Sequence, residues 1–232
     1  MVDTQYNNYI NLDSISPLLN YTMNEEIVDK LDNVIHDCLL KESNGKLKKA
    51  TVFSSSLSKD VLMIEKRISN RLSLKNKEIT DFLIEQKFLN YLNSKSQHFS
   101  WRLYNNHYDY IEYEKQGFFN KHRDFQWAYY PNTIQMTCLI GLENCKSGGE
   151  TKIWFPKYFN VDEKKREQLF NTTCIKGGVL IFPSHWFHAG LEVKDNKRLF
   201  MMTLLCEYNS IKSKKIICNN NNYRQTFSQS AQ

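Results

Sequence analysis

Long apolar runs are missing from this chain: none approaches the roughly 18 residues that a membrane-spanning helix needs. The first twenty residues, MVDTQYNNYINLDSISPLLN, lack a basic stretch followed by an apolar one, so they do not read as a secretory signal. A soluble, intracellular protein without membrane contact is expected. The six cysteines, at 38, 138, 145, 174, 206 and 218, include no C-x-x-C pair, which argues against a cysteine-built zinc site. Without an export signal they are expected to be free, mostly buried thiols. Acidic residues are in modest deficit, 25 against 31 Lys and Arg, for a formal charge of +6. Much of the excess sits in Lys46, Lys48, Lys49, Lys212, Lys214, Lys215 and Arg224, near candidate loops and the C-terminal tail. Such runs are usually solvated surface, and they do not form a nucleic-acid stripe.

What is present suffices for one sizeable core. Apolar residues make up 41% and aromatics 13% of 232 residues, so disorder is not the default despite the abundance of Asn, Lys and Ser. The chain changes texture near residue 98. Before it, Ile27, Leu31, Ile35 and Leu39 recur every four residues, widened by Val34 and Cys38, which predicts a helix from about Asn24 to Lys41. A second helix is expected from about Ser58 through Val61, Ile64, Ile68 and Leu72, and a third carries Ile79, Phe82, Leu83, Phe88 and Leu92. After it come short segments rich in aromatic and β-branched residues, such as HFSWRLY, TIQMTCLIGL, VLIF and RLFMMTLLCEY. Seven of the eight glycines fall between Gly117 and Gly190, where turns between strands need them. A sandwich or barrel is the reading. The organisation is therefore 1–97, mainly helical support; 98–209, a β domain; and 210–232, a tail expected to be disordered. The stretch VDEKKREQLF at 161–170 reads as a charged helical or loop insertion.

Chemistry becomes readable at FFNKHRDF. In an extended strand residues i and i+2 share a face, so His122 and Asp124 can converge on one ion. About sixty residues on, GGVLIFPSHWFHAGLEVKDNKRLF supplies a Gly177-Gly178 turn, an apolar strand from Val179 to Phe182, His188, and Arg198 ten residues later. Two histidines and one carboxylate are the facial triad of non-haem iron(II) oxygenases, whereas zinc would favour cysteine or further histidine. His185 is the competitor to His188 but comes too early in the spacing; His36, His98 and His107 have no ligand spacing.

Across roughly residues 98 to 208 the sequence resembles the prolyl-4-hydroxylase-like branch of the 2-oxoglutarate/Fe(II)-dependent dioxygenases. The resemblance rests on Tyr113, Gly117 and Phe119 before H-x-D, on TCLIGL from Thr137 to Leu142, on Gly148-Gly149-Glu150-Thr151 followed by IWFP, and on the distal His and basic residue. It implies an α+β fold, a double-stranded β-helix (jelly roll) with N-terminal helices packed on one side. It also implies Fe(II) on His122, Asp124 and His188, 2-oxoglutarate as co-substrate, O₂, and ascorbate as a candidate reductant. The far carboxylate of 2-oxoglutarate would need a buried cation. In a regular strand only one of Lys197 and Arg198 can enter the pocket, and the ten-residue offset points to Arg198. Tyr113 is expected to donate its hydroxyl to the co-substrate. Where oxygen-sensing prolyl hydroxylases carry a second tyrosine, this chain has Gly141 or Ile140.

The implied activity is hydroxylation of an unactivated C–H bond with release of succinate and CO₂. A peptidyl proline in a protein or peptide substrate is the expected target, with the aromatic stretch DFQWAYYPN at 124–132 as a rim for it. A nucleobase or small metabolite is the alternative target, nucleic acid being kept open by the interleaved aromatics and basic balance. A second alternative, a binding scaffold with a vestigial site, is disfavoured because every expected ligand is present.

Overall fold

The N-terminal apolar stripe does form a helix. In the computed structural model, which describes residues 18–54, 59–61, 63, 66–95, 99–124, 133–156 and 163–208, strand β1 (Leu19–Thr22) is followed by α1 (Glu25–Ser43). Asn24 caps α1, its side chain accepting from the Glu26 N–H at 2.7 Å, and Glu25 and Glu26 complement the positive end of the helix dipole. Asn44 ends it in a left-handed conformation, φ 51°, with its N–H returned to the last turn. Val28, Leu31, Ile35 and Cys38 lie fully buried along the inner face.

The second predicted helix is a correction. In its place, after β2 (Lys48–Lys49) and β3 (Val52–Ser54), stand β4 (Lys59–Val61), β5 (Arg67–Ile68) and β6 (Asn70–Lys75). The misleading signal has a simple cause. Ile68 and Leu72 are four apart, as on a helix, but they stand in two short strands of different sheets, β5 and β6, so the spacing is not that of one continuous element. The third predicted helix is two, α2 (Lys77–Glu85) and α3 (Phe88–Lys95), broken at Lys87 where φ is 54°. Part of the predicted charged insertion is likewise a strand, β11 (Glu167–Phe170). The tail from residue 210 lies outside the described residues.

The remaining strands are β7 (Phe99–Tyr113), β8 (Phe118–His122), β9 (Thr133–Gly141), β10 (Thr151–Trp154), β12 (Gly178–Pro183), β13 (Phe187–Gly190) and β14 (Lys197–Tyr208). They build two antiparallel sheets, one ordered β1-β12-β9-β14-β7-β6-β2 and the other β11-β10-β13-β8-β5. From β7 onward the chain passes repeatedly between the two, which makes the jelly roll, or double-stranded β-helix. β1, β5 and β6 join these sheets, so residues 1–97 supply strands to the barrel as well as helices against it.

The larger sheet is covered on both faces, and all nine residues of its interior strand β9 are buried. One face packs on the helices through Tyr110, Phe200, Met202, Leu204, Met136, Cys138 and Ile140. The other closes the barrel through Ile111, Tyr113, Leu139, Leu180, Phe182 and Leu199. Among the described residues no helix is long and apolar enough to cross a membrane, and Cys38, Cys138, Cys145, Cys174 and Cys206 are free thiols.

This packing predicts that Leu31→Ala, fully buried between α1 and the sheet, lowers unfolding free energy by about 2–5 kcal/mol. Ile84→Ser, at a side chain 58% exposed, should change it by less than about 0.5 kcal/mol. Urea titration of both variants checks the contrast.

Candidate metal centre and adjoining cavity

Three side chains far apart in sequence meet inside the barrel. His122 ends β8, Asp124 follows two residues on, and His188 lies in β13 directly opposite His122 in the antiparallel register. One donor atom from each lies within 4.8 Å of the others, so the three could hold one metal ion. Asp124 Oδ1 is 3.4 Å from His122 Nε2, and Asp124 Oδ2 is 3.4 Å from His188 Nε2.

The backbone selects the tautomers. His122 Nδ1 is 2.8 Å from the Asn120 carbonyl and His188 Nδ1 is 3.1 Å from that of Trp186. Each Nδ1–H donates to its carbonyl, which leaves both Nε2 lone pairs aimed at the centre. Burial, helped by neighbouring His188, lowers the His122 pKa to about 4 and keeps that imidazole neutral. Burial opposes the charged form of His188, but the Asp124 carboxylate outweighs it and raises the pKa. Burial also opposes ionisation of Asp124, and the two histidines more than compensate, holding it well below the usual carboxylate range.

Asp124 is fixed from behind by two residues that the sequence reading missed. Thr137 Oγ1 donates to Asp124 Oδ2 at 2.6 Å and lies 3.0 Å from Ser184 Oγ. The Asp124 N–H donates to the Ser184 carbonyl at 3.1 Å. Thr137 and Ser184 are both buried, so the carboxylate cannot swing away without stranding polar groups. Phe119 stacks on the His122 ring with centroids 3.4 Å apart.

A cavity of about 70 Å³ runs from this centre, walled by Tyr113, Leu139, Thr151, Leu199 and Lys197 among others. One water needs about 10–15 Å³ by the same measure, so the space suits a small molecule. Lys197, only 2% exposed, reaches this cavity. Its Nζ donates to the Gly149 carbonyl and, at 3.0 Å, to Thr173 Oγ1. Thr151 Oγ1 lies 2.9 Å from the same Thr173 hydroxyl. Lys197 has no ion-pair partner among the described residues, and burial lowers its pKa.

Arg198 is the main correction. It points to the opposite face of β14, where its Nη1 pairs with Asp32 of α1 at 3.0 Å and its Nε with Glu143 at 2.9 Å. Strand alternation forces the choice. Leu199 and Met201 line the cavity while Phe200 and Met202 pack on the helices, so 197 faces in and 198 faces out. Tyr113 does reach the cavity, opposite Lys197 in the β7–β14 register. Burial pushes its pKa up, which keeps its hydroxyl protonated and able to donate. On β9 it is Leu139, and not Gly141 or Ile140, that lines the cavity. Ile140 faces the helices, and a Cβ on Gly141 would stand 2.3 Å from the Ile175 carbonyl oxygen. The candidate rim at 125–132 lies outside the described residues, as do His98 and the His107 side chain. His36 is exposed on α1, away from the centre.

Residues 104–205 match the family model described as the 2OG-Fe(II) oxygenase superfamily. The matched stretch contains His122, Asp124 and His188, and over it the chain is similar to that superfamily. A 2OG-Fe(II) oxygenase uses Fe(II), 2-oxoglutarate and O₂, and this chain is accordingly a dioxygenase. Its fold is similar to that of a Pseudomonas putida prolyl-4-hydroxylase, at 12% identity and TM-score 0.51 over 85% of this chain and 94% of the other. It is also similar to a Trichoplax adhaerens prolyl hydroxylase solved with a hypoxia-inducible-factor peptide, at 11% identity and TM-score 0.54 over 86% and 85%. A non-haem α-ketoglutarate-dependent carbocyclase, SnoK, from nogalamycin biosynthesis matches at 11% identity and TM-score 0.54 over 82% and 80%. No curated protein sequence matches significantly.

The Thr137 hydroxyl predicts its own effect. Thr137→Val keeps the shape but leaves Asp124 Oδ2 without this donor, and metal affinity should fall about 10–100-fold. Competitive titration of the variant with Mn(II) and a chromogenic chelator measures it.

Proposed function

We propose that His122, Asp124 and His188 hold Fe(II), that Lys197 holds the distal carboxylate of 2-oxoglutarate, and that the enzyme hydroxylates an unactivated C–H bond of a peptidyl proline. The observation that carries the reading is the pairing, within one cavity, of a two-histidine, one-carboxylate centre with a buried ammonium that lacks an acidic partner among the described residues. A buried cation without a counter-charge is costly, and a dicarboxylate of this length supplies the missing anion.

The donor set fits the metal. Two imidazoles and one carboxylate are the donor set that a non-haem Fe(II) oxygenase uses, and His122, Asp124 and His188 would hold the ion here. When bound, iron would supply the redox chemistry by which O₂ oxidises both 2-oxoglutarate, to succinate and CO₂, and the substrate C–H bond, to the alcohol, one oxygen atom going to each. The chain's own residues bind, orient and shield. Asn120 and Trp186 carbonyls hold the imidazoles in the ligating tautomer, and Thr137 holds Asp124 at its angle. Lys197 offers a charge-assisted hydrogen bond, with Thr151 and the Tyr113 hydroxyl on the same cavity wall as further donors. Leu139, Leu199 and Val193 exclude water around them. Peptidyl proline as the target is supported by the order of motifs across residues 98 to 208 and by likeness in fold to two prolyl hydroxylases.

Lys197→Met should raise the KM for 2-oxoglutarate about tenfold or more, the size of a lost charge-assisted hydrogen bond. Arg198→Met should leave that KM within about twofold and instead lower the melting temperature, because Asp32 and Glu143 lose their partner. Succinate release with proline-rich peptides, paired with mass spectrometry for one added oxygen on proline, is the readout. A wild-type protein that consumes no 2-oxoglutarate with Fe(II), even without a peptide, would sink the reading. If Arg198→Met proves to be the variant with the raised KM, the assignment of Lys197 fails.

A further inference from the structure

The cavity has a second buried cation that the reading above leaves unused. Arg67, on β5, is 4% exposed and lines the cavity, yet it forms no ion pair with a carboxylate among the described residues. Its Nε donates to Ser69 Oγ at 2.7 Å. Its guanidinium lies over the Phe119 ring, 4.3 Å from the centroid. Since Phe119 stacks in turn on His122, a guanidinium, a phenyl ring and an imidazole form successive layers leading to the metal centre. Arg71, close by on β6, is different. Asp109 neutralises it through bonds of 2.8 and 2.9 Å, and Ser73 completes the carboxylate at 2.6 Å.

Charge counting separates Arg67 from the other cations. Two positive charges of the ion and one of Lys197 stand against Asp124 and the two carboxylates of 2-oxoglutarate, which cancels them. Arg71 and Asp109 cancel one another. Among the described residues that line the cavity, Arg67 alone stays uncompensated with iron and co-substrate in place. A guanidinium has five N–H donors in a planar fork suited to an oxyanion; Ser69 takes Nε and the Tyr113 hydroxyl lies beside the group, and neither neutral partner supplies the missing charge. Both carboxylates of 2-oxoglutarate already have partners, the metal and Lys197, so the missing anion belongs to another molecule.

Resting on the proposed iron and co-substrate assignment, we infer that Arg67 receives a carboxylate of the molecule to be hydroxylated, so that the enzyme selects acidic substrates. The carboxylate belongs either to a free acid or to a peptide whose target residue stands beside Asp, Glu or a terminal carboxyl group. Arg67 thereby positions the reacting C–H bond one aromatic layer from the metal.

The test uses the full chain loaded with Mn(II) and saturating 2-oxoglutarate, with acetate as probe and acetamide as its neutral counterpart. Paramagnetic relaxation of the methyl protons reports binding near the ion. Acetate should show saturable enhancement and acetamide about tenfold less or none, a comparison that needs no variant. Arg67→Gln should weaken acetate about tenfold or more, and Arg67→Lys should retain most of the effect. Calorimetric affinity for 2-oxoglutarate should move less than about threefold in Arg67→Gln, with melting temperatures checking that both variants fold. Acetyl-Pro-Asp-amide against acetyl-Pro-Asn-amide, measured in the same way, separates a peptide carboxylate from a free acid. Equal enhancement by acetate and acetamide, or an acetate effect unchanged in Arg67→Gln, overturns the inference. So does a tenfold loss of 2-oxoglutarate affinity in Arg67→Gln, which would make Arg67 a co-substrate anchor. Failure of the wild type to bind 2-oxoglutarate with Mn(II) would instead strike the underlying assignment.

Discussion

The site depends on one register: His188 directly opposite His122 on neighbouring antiparallel strands. Facing residues in such a pair stand close enough for their side chains to share a ligand. A one-residue slip would turn one of the imidazoles to the outer face and leave Asp124 with half its partners. The register is held on both sides. β10 pairs the far edge of β13 through Ile153 opposite His188, and β5 pairs the far edge of β8. Asp124 then needs no strand of its own. Its N–H on the Ser184 carbonyl and its carboxylate on Thr137 connect it to the opposite sheet.

The cavity is electrostatically lopsided. Apart from the carboxylate at the metal centre, its charged walls are cationic: Lys197 at one place, Arg67 and Arg71 at another. Empty, such a pocket costs stability, because burial disfavours every charged form it contains. Both Arg67 and Lys197 are depressed in pKa by burial, as expected of cations awaiting an anion. Filled by anions, the same groups become binding energy directed along the cavity.

Much of this was legible in the sequence, and the failures have specific causes. H-x-D followed by a distal histidine could be read because metal ligation demands those residue types at strand spacing. Helix α1 could be read because its stripe is bounded by a good cap and spans enough turns to be unambiguous. The choice between Lys197 and Arg198 could not be made by offset alone. β14 is apolar on both faces, so no alternation of polar and apolar residues marks which side is inward. Counting by twos from Leu199 would have settled it only if Leu199 were already known to face the cavity. Arg67 was hidden because it lies within Ile64, Ile68 and Leu72, whose spacing reads as a helix although Ile68 and Leu72 stand in strands of different sheets. Thr137 was seen as a motif letter but not as the donor to Asp124, since that contact links residues on different sheets.

The dipeptide Lys197-Arg198 joins two jobs across a single peptide bond. One side chain reaches into the barrel, and the other grips α1 through Asp32 while holding Glu143 in the loop after β9. The helical layer is thus more than a cover for greasy strands. The position of α1 on the sheet and the position of the pocket's ammonium are thus tied to one another by adjacent residues of a single strand.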